Sequence, residues 1–301
     1  MSSSKFKTLL LTGALLAGSI AIGQTDSQVS EQPEVGSSNS YAGLWMLGLL
    51  MQSDDESSQG SAVSFGYGVG ESTWFSALLA NSSSPAERAD ISANTFVLGI
   101  DHRFDKVGFS FELEDWGESG AVESEDIGAS VYFFGDRYRV ELGLEKRDID
   151  FTFSLPFGDR IFTRKASFDA DGWSFGVNVR ASDAVSVYYD YRDYDYSVNL
   201  RVLPRIDRLN LLNGSALTLA NSLLSEVHTF GVDVAFGDKS LSLIFGEDTS
   251  AIDGTDLSSI GASLIFPVAP RIDLEISLGR SDSDFLEASN YGGIGILIYG
   301  G

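Results

Sequence analysis

Apolar and polar positions alternate with a period of two along most of this chain. The clearest case runs from Glu125 to Asp150. Ile127, Ala129, Val131 and Phe133 share one face there, and Gly128, Ser130 and Tyr132 share the other. After Gly135-Asp136-Arg137, the residues Val140, Leu142 and Leu144 alternate with Arg139, Glu141, Gly143 and Glu145. This spacing predicts two strands with unlike faces and a hairpin link between them.

The same rhythm returns elsewhere. Val63, Phe65, Tyr67 and Val69 lead through Gly70-Glu71 into Thr73 to Asn81. Phe96, Leu98, Ile100 and Phe104 lead through Asp105-Lys106 into Val107, Phe109, Phe111 and Leu113. Trp173, Phe175, Val177 and Val179 lead through Ser182-Asp183 into Val185, Val187, Tyr189 and Tyr191. Phe230 to Phe236 and Leu241 to Phe245 form another pair, Ile260 to Phe266 and Ile272 to Leu278 a further one, and Ile294 to Ile298 closes the chain. That makes about thirteen strands. Tyr41 to Met51 is apolar on both alternating faces and fits a short helix or a strand. Counting it gives about fourteen, an even number that puts both termini and every short turn on one side.

Polar links are expected at 54–60, 82–92 and 117–125, with a longer ribbon-like connection from Phe151 to Asp169. The longest link carries Leu209, Leu212, Leu217, Leu223 and Leu224 at loosely helical intervals. Its 203–226 segment reads as a loop packed on itself or as a plug.

Composition narrows the class. The chain is 43% hydrophobic and 12% aromatic with 32 Gly and 6 Pro, a composition that folds despite its acidity. Residues 1–23 read as a signal peptide, with Lys5 and Lys7 before an apolar core from Leu9 to Ile22. Residues 24–40 read as a flexible leader, and 41–301 as the folded domain. Removing the signal takes away two Lys and no acid, so the formal charge of −23 becomes about −25, which disfavours nucleic acid as a partner. There is no cysteine, so an exported chain must find stability in something other than disulfides. A closed sheet supplies it.

Alternation alone leaves a soluble sandwich or a lipocalin-like barrel open as well. The signal peptide, the alternation of short and long links, and the placing of Trp45, Trp74, Trp116 and Trp173 near strand ends favour a membrane barrel with an aromatic girdle. In this pattern the chain resembles Gram-negative outer-membrane β-barrels of the general porin type, over nearly all of its mature length. The resemblance implies an all-β, transmembrane, antiparallel up-and-down barrel in the cell outer membrane, set among lipid and lipopolysaccharide. Short periplasmic turns and long extracellular loops are expected, and homo-oligomers are possible partners. The chain departs from the type where Tyr299 is followed by Gly300 and Gly301 instead of ending on an aromatic residue.

With the apolar face turned to lipid, alternate positions line the lumen. They are Asp101, Arg103, Glu112 and Glu114, then Arg139, Glu141 and Glu145, then Arg180, Asp190 and Arg192, and finally Asp233, Asp273 and Glu275. Acids outnumber bases, so passive diffusion of small hydrophilic solutes with a preference for cations is expected. Arg139, Arg180 and Arg192 come from nearby strands, with the carboxylates expected largely elsewhere. A barrel-borne hydrolase is the runner-up, with His102 and His228 as its only histidines and no nucleophile motif beside them. A plugged transporter for hydrophobic molecules would need an apolar tunnel, against which the charged inner face argues. DGTD at 253–256, DYDY at 193–196 and SDSD at 281–284 lack calcium-loop spacing and read as solvated loops. No cofactor or metal motif is found.

Overall fold

The computed structural model describes residues 40–55, 57–84, 91–118, 122–157, 160–198, 223–251, 254–283 and 288–301. The expected signal peptide and leader, and most of the long link, lie outside the described residues. The fold is a closed barrel of fourteen strands, each hydrogen-bonded to its neighbours in the sequence, with β1 pairing β14 to close the ring. Every pairing is antiparallel.

The strands are β1 (Trp45–Asp54), β2 (Gln59–Val69), β3 (Thr73–Ser84), β4 (Ile91–Arg103), β5 (Val107–Glu118), β6 (Val122–Phe134) and β7 (Tyr138–Phe157). They continue with β8 (Arg160–Ser182), β9 (Val185–Tyr196), β10 (Leu224–Phe236), β11 (Lys239–Ser250), β12 (Asp256–Ala269), β13 (Ile272–Ser283) and β14 (Ser289–Gly300).

Closure removes the free edges that an open sheet would leave, and no backbone donor in the middle of the wall then faces lipid unpaired. The outward side chains form an apolar belt. Phe65, Phe75, Leu98, Phe111, Leu142, Phe245, Ile276 and Ile296 all stand exposed, where a soluble fold would have buried them. On β7 the belt runs from Tyr138 to Leu144 and then stops at Lys146. At about 3.3 Å per residue this run measures about 20 Å along the strand, which the usual tilt of about 40° reduces to about 15–18 Å along the barrel axis.

Above the belt, on the side away from the short turns, polarity inverts while the alternation continues. Outward positions become Asp115, Glu123, Glu125, Asp148, Asp150 and Asp169, and inward positions become Trp116, Val122, Ile149, Phe151 and Phe168. These inward residues pack with Leu223 and Ala251 into a buried apolar cluster. There the wall is built like a soluble barrel because water, not lipid, lies outside it.

Several sequence expectations change accordingly. The link expected at 117–125 is mostly strand, leaving 119–121 between β5 and β6. The ribbon expected from Phe151 to Asp169 is the continuation of β7 and β8, which reach 20 and 23 residues. Leu224 opens β10 and does not continue a helical run, while Leu223 sits in the apolar cluster. DYDY at 193–196 belongs to β9, with Tyr194 and Tyr196 facing in. The first strand begins at Trp45, so Tyr41 lies before it, buried inside the barrel. Of the tryptophans, Trp173 faces out, but Trp74 and Trp116 are buried on the inner side and take no part in a girdle. Exposed Phe104, Phe109, Phe133, Tyr138 and Phe236 ring the turn side instead.

Candidate functional site: the inner wall

Each candidate residue lies on the inward side of its strand, opposite in phase to the exposed apolar positions. This holds for Asp101 and Arg103 on β4, Glu112 and Glu114 on β5, and Arg139, Glu141 and Glu145 on β7. It holds equally for Arg180 on β8, Asp190 and Arg192 on β9, Asp233 on β10, and Asp273 and Glu275 on β13.

They do not form one site. A turn-side network spans β4 to β7. The Tyr132 hydroxyl donates to Asp101 at 2.6 Å, the Arg139 guanidinium lies 3.6 Å over the Tyr132 ring, and Arg139 donates to Glu141 at 2.6 Å. Ser130 also bonds Glu141. Tyr132 can reach across because inward Gly108 leaves room for its ring.

A second network lies towards the loops. Arg147 is 2% exposed at its side chain, a position no guanidinium holds without partners. It donates to Glu145 at 2.7 Å and to the Tyr194 hydroxyl at 2.8 Å, pairs with Asp126 at 3.3 Å, and stacks 4.0 Å from the Tyr194 ring. Tyr194 in turn donates to Glu145 at 3.0 Å. Asp126, Arg147 and Asp248 are inward charges that the sequence reading missed. Continuing the phase of Arg139, Glu141 and Glu145 by one more step would have found Arg147.

The remaining wall is of another kind. On its inner face β11 to β14 carry Ser240, Ser242, Gly246, Ser259, Gly261, Ser263, Ser277, Gly279, Gly293 and Gly295. Among these small residues stand Asp233, Asp248, Asp273 and Glu275. Ser242 donates to Asp233 at 2.7 Å, Ser263 to Glu275 at 2.6 Å, and Tyr299 to Asp273 at 3.4 Å. Among the described residues, no Lys or Arg faces inward on β10 to β14 or on β1 to β3.

The expected segregation of charge is therefore half met. The inward arginines do gather on β4 and β7 to β9, but Asp101, Glu112, Glu114, Asp126, Glu141, Glu145 and Asp190 share that side of the barrel. The inner face is also not polar throughout. Besides the loop-side cluster, Tyr41, Met46, Trp74, Ile265 and Leu297 pack together at the turn side. Tyr299, near the end of the chain, is 4% exposed and points inward, so it offers no aromatic residue to lipid.

Both histidines face outward. His102 bonds the Thr73 hydroxyl at 2.9 Å, and His228 bonds the Tyr189 hydroxyl at 2.9 Å with its ring 4.8 Å from Tyr191. An open concavity of about 1060 Å³ lies on the outward side of β2 to β8, between Val63, Leu79 and Phe96 below and Asp115, Glu125 and Asp148 above. It belongs to the barrel's outer waist and not to the lumen.

No family model and no curated relative matches the chain. Among solved structures it is similar to the CymD monoaromatic hydrocarbon channel, at 10% identity over 85% of this chain and 87% of that one, with a TM-score of 0.49. It is similar to outer-membrane expressed OmpT of Vibrio cholerae at 11% identity, 89% and 100% coverage and a TM-score of 0.49. The KdgM porin matches at 11% identity, 84% and 98% coverage and a TM-score of 0.41. Likeness this distant leaves the reading to the barrel itself. A closed even-numbered wall, a lipid-facing apolar belt and a charged interior make the chain an outer-membrane β-barrel of porin-type architecture.

Proposed function

We propose that the protein is a channel for passive diffusion of small hydrophilic solutes and that it prefers cations. The observation that carries this reading is the unequal charge of the inner wall. Arg139 is paired with Glu141, and Arg147 with Glu145 and Asp126. On β10 and β13, Asp233 accepts from Ser242 and Glu275 from Ser263, and among the described residues no Lys or Arg faces inward on β10 to β14. Carboxylates lining a lumen without a fixed base attract mobile cations and repel anions.

The hydrolase reading draws no support from His102 or His228, because both rings project from the outer side of the barrel, away from the lumen. The test is electrical. In a planar bilayer under a potassium chloride gradient, the reversal potential is expected to report cations crossing more readily than anions. An anion preference would overturn the selectivity, and the absence of any conductance would overturn the channel.

A further inference from the structure

Tyr41 precedes the first strand, yet it is 1% exposed and lies within the barrel. The chain reaches that position by a tight turn. The Leu44 amide donates to the Tyr41 carbonyl at 3.0 Å, and Gly43 adopts a φ of 74°, in the left-handed region that favours glycine. The turn is fastened to the inner side of β2 and to the β2–β3 link. Tyr41 donates to the Glu71 carbonyl at 3.2 Å, Gly43 to that of Gly68 at 3.2 Å, and Gly68 to that of Leu44 at 2.8 Å. Gly68 faces inward, and a methyl group there would overlap the Tyr41 carbonyl.

The ring is buried among side chains of the inner wall at the turn side. One side packs with Trp74, at 5.7 Å between centroids, and with the cluster formed by Met46, Ile265 and Leu297. Its face carries the Arg103 guanidinium at 3.9 Å. Side chains from β12, β14, β1, β3 and β4 thus meet at one tyrosine that belongs to none of them. Arg103 is on β4, next to the β4–β7 network through inward Asp101, Tyr132 and Arg139. The two groups lie side by side on the inner wall at the turn side, and Tyr41 is the member that precedes its strand on a short turn of chain.

We propose that Tyr41 is a specificity-determining residue: its ring narrows the turn-side mouth of the lumen and holds Arg103 against the wall, so that it sets the size of solute that passes. The assignment rests on the channel reading for its consequence but not for its geometry. A ring that served only to anchor the start of β1 would leave both conductance and access to the lumen unchanged when removed.

The chain has no cysteine, so Ser76→Cys on the inner side of β3 supplies a unique reporter just inside the mouth. Tyr41→Ala is expected to raise single-channel conductance about twofold or more and to speed reaction of that cysteine with a bulky charged thiol reagent. Gly68→Ala, which displaces the turn with the ring intact, is expected to act in the same direction. Tyr41→Phe should match the parent in both measurements. Retention of the heat-modifiable barrel in detergent shows that each variant is folded. Unchanged conductance together with an unchanged labelling rate in folded Tyr41→Ala and Gly68→Ala would overturn the proposal. If no variant conducts but labelling accelerates, the mouth assignment stands and the channel reading falls. If the parent is silent and Tyr41→Ala conducts, the assignment is upheld in its strongest form.

Discussion

The two sides of the barrel solve the problem of a wet interior in different ways. From β4 to β9 the wall projects long side chains: Tyr132 bonds Asp101 and carries Arg139 over its ring, and Arg147 bonds Glu145 and Tyr194. From β10 through β14 to β2 the inner face is mostly Gly, Ser and Ala with isolated carboxylates. The first wall spends its charges on itself, and its arginines are fixed parts of the structure. The second carries Asp233 and Glu275 with hydroxyl partners. If the channel is cation-preferring as proposed, stability and selectivity are lodged in separate halves of one ring, and substitutions should separate them.

The largest effect is expected at Arg147. Removing it by Arg147→Ala leaves Asp126 and Glu145 facing each other without their cation, at a site only 2% exposed. Breaking a buried pair in this way costs about 3–5 kcal/mol, because the orphaned charges remain desolvated. Unfolding of the detergent-solubilised barrel by urea should show the loss. Glu275→Gln on the other wall provides the contrast. It removes a buried charge and keeps an acceptor for Ser263, so the cost should stay below about 1 kcal/mol. Equal losses at the two sites would erase the distinction between the walls.

The selectivity of the two variants should run the opposite way. Asp233→Asn with Glu275→Gln is expected to lower the cation-to-anion permeability ratio by roughly twofold or more, since no base on that wall takes part. Glu141→Gln should change it less, because the Arg139 partner already offsets that carboxylate. Reversal potentials of both variants under one salt gradient decide the order. A larger shift at Glu141 would place the ion path along the arginine wall.

The belt was legible in the sequence and the rim was not, for a physical reason. Between Tyr138 and Leu144 lipid outside and charge inside give the alternation its full contrast. From Lys146 onwards both faces change at once: Asp148 and Asp150 point out to water, while Ile149 and Phe151 point in to an apolar cluster. The period of two survives, but its sense reverses, so the strand seems to end where only its surroundings do. Trp116 shares this fate, being a strand-end tryptophan on the inverted side. Tyr41 was unreadable for another reason. Its place depends on Gly68, Trp74 and Arg103, contacts made only once β1 to β4 have been assembled.

Packing within the arginine wall should be felt at an intermediate level. A methyl group at inward Gly108 would overlap the Tyr132 ring, and one at Gly231 would overlap that of Tyr188. Gly108→Ala forces the tyrosine off Asp101 and away from Arg139, at a cost of about 1–3 kcal/mol from overpacking. Gly246 and Gly261 on the opposite wall face serine and tyrosine hydroxyls, which can swing aside. Alanine there should therefore cost less in the same unfolding assay.

The smallest effect is expected outside the membrane, at the seam where the ring closes. Asp55 follows β1 and reaches across to β14. Its carboxylate accepts from the Ser289 hydroxyl at 3.0 Å, the Asn290 amide at 3.0 Å and the Asn290 side chain at 2.7 Å, while its own amide donates to the Asn290 carbonyl at 3.0 Å. The Asn290 side-chain bond, followed by the backbone and Ser289 bonds, holds this carboxyl below its ordinary value of 3.8. A depressed value means that the folded form favours the carboxylate, so the contribution is complete above that ordinary value and is lost as pH falls through the lower, folded one. The group is fully exposed, and water competes for each of these bonds. Asp55→Asn should therefore lower the apparent melting temperature only slightly at neutral pH, and the difference from the parent should vanish in strong acid. The ten-residue pairing of β1 with β14 is what closes the barrel, from Trp45 opposite Gly300 to Asp54 opposite Tyr291. A difference that persisted unchanged at low pH would show that it does not arise from the ionised Asp55 carboxylate.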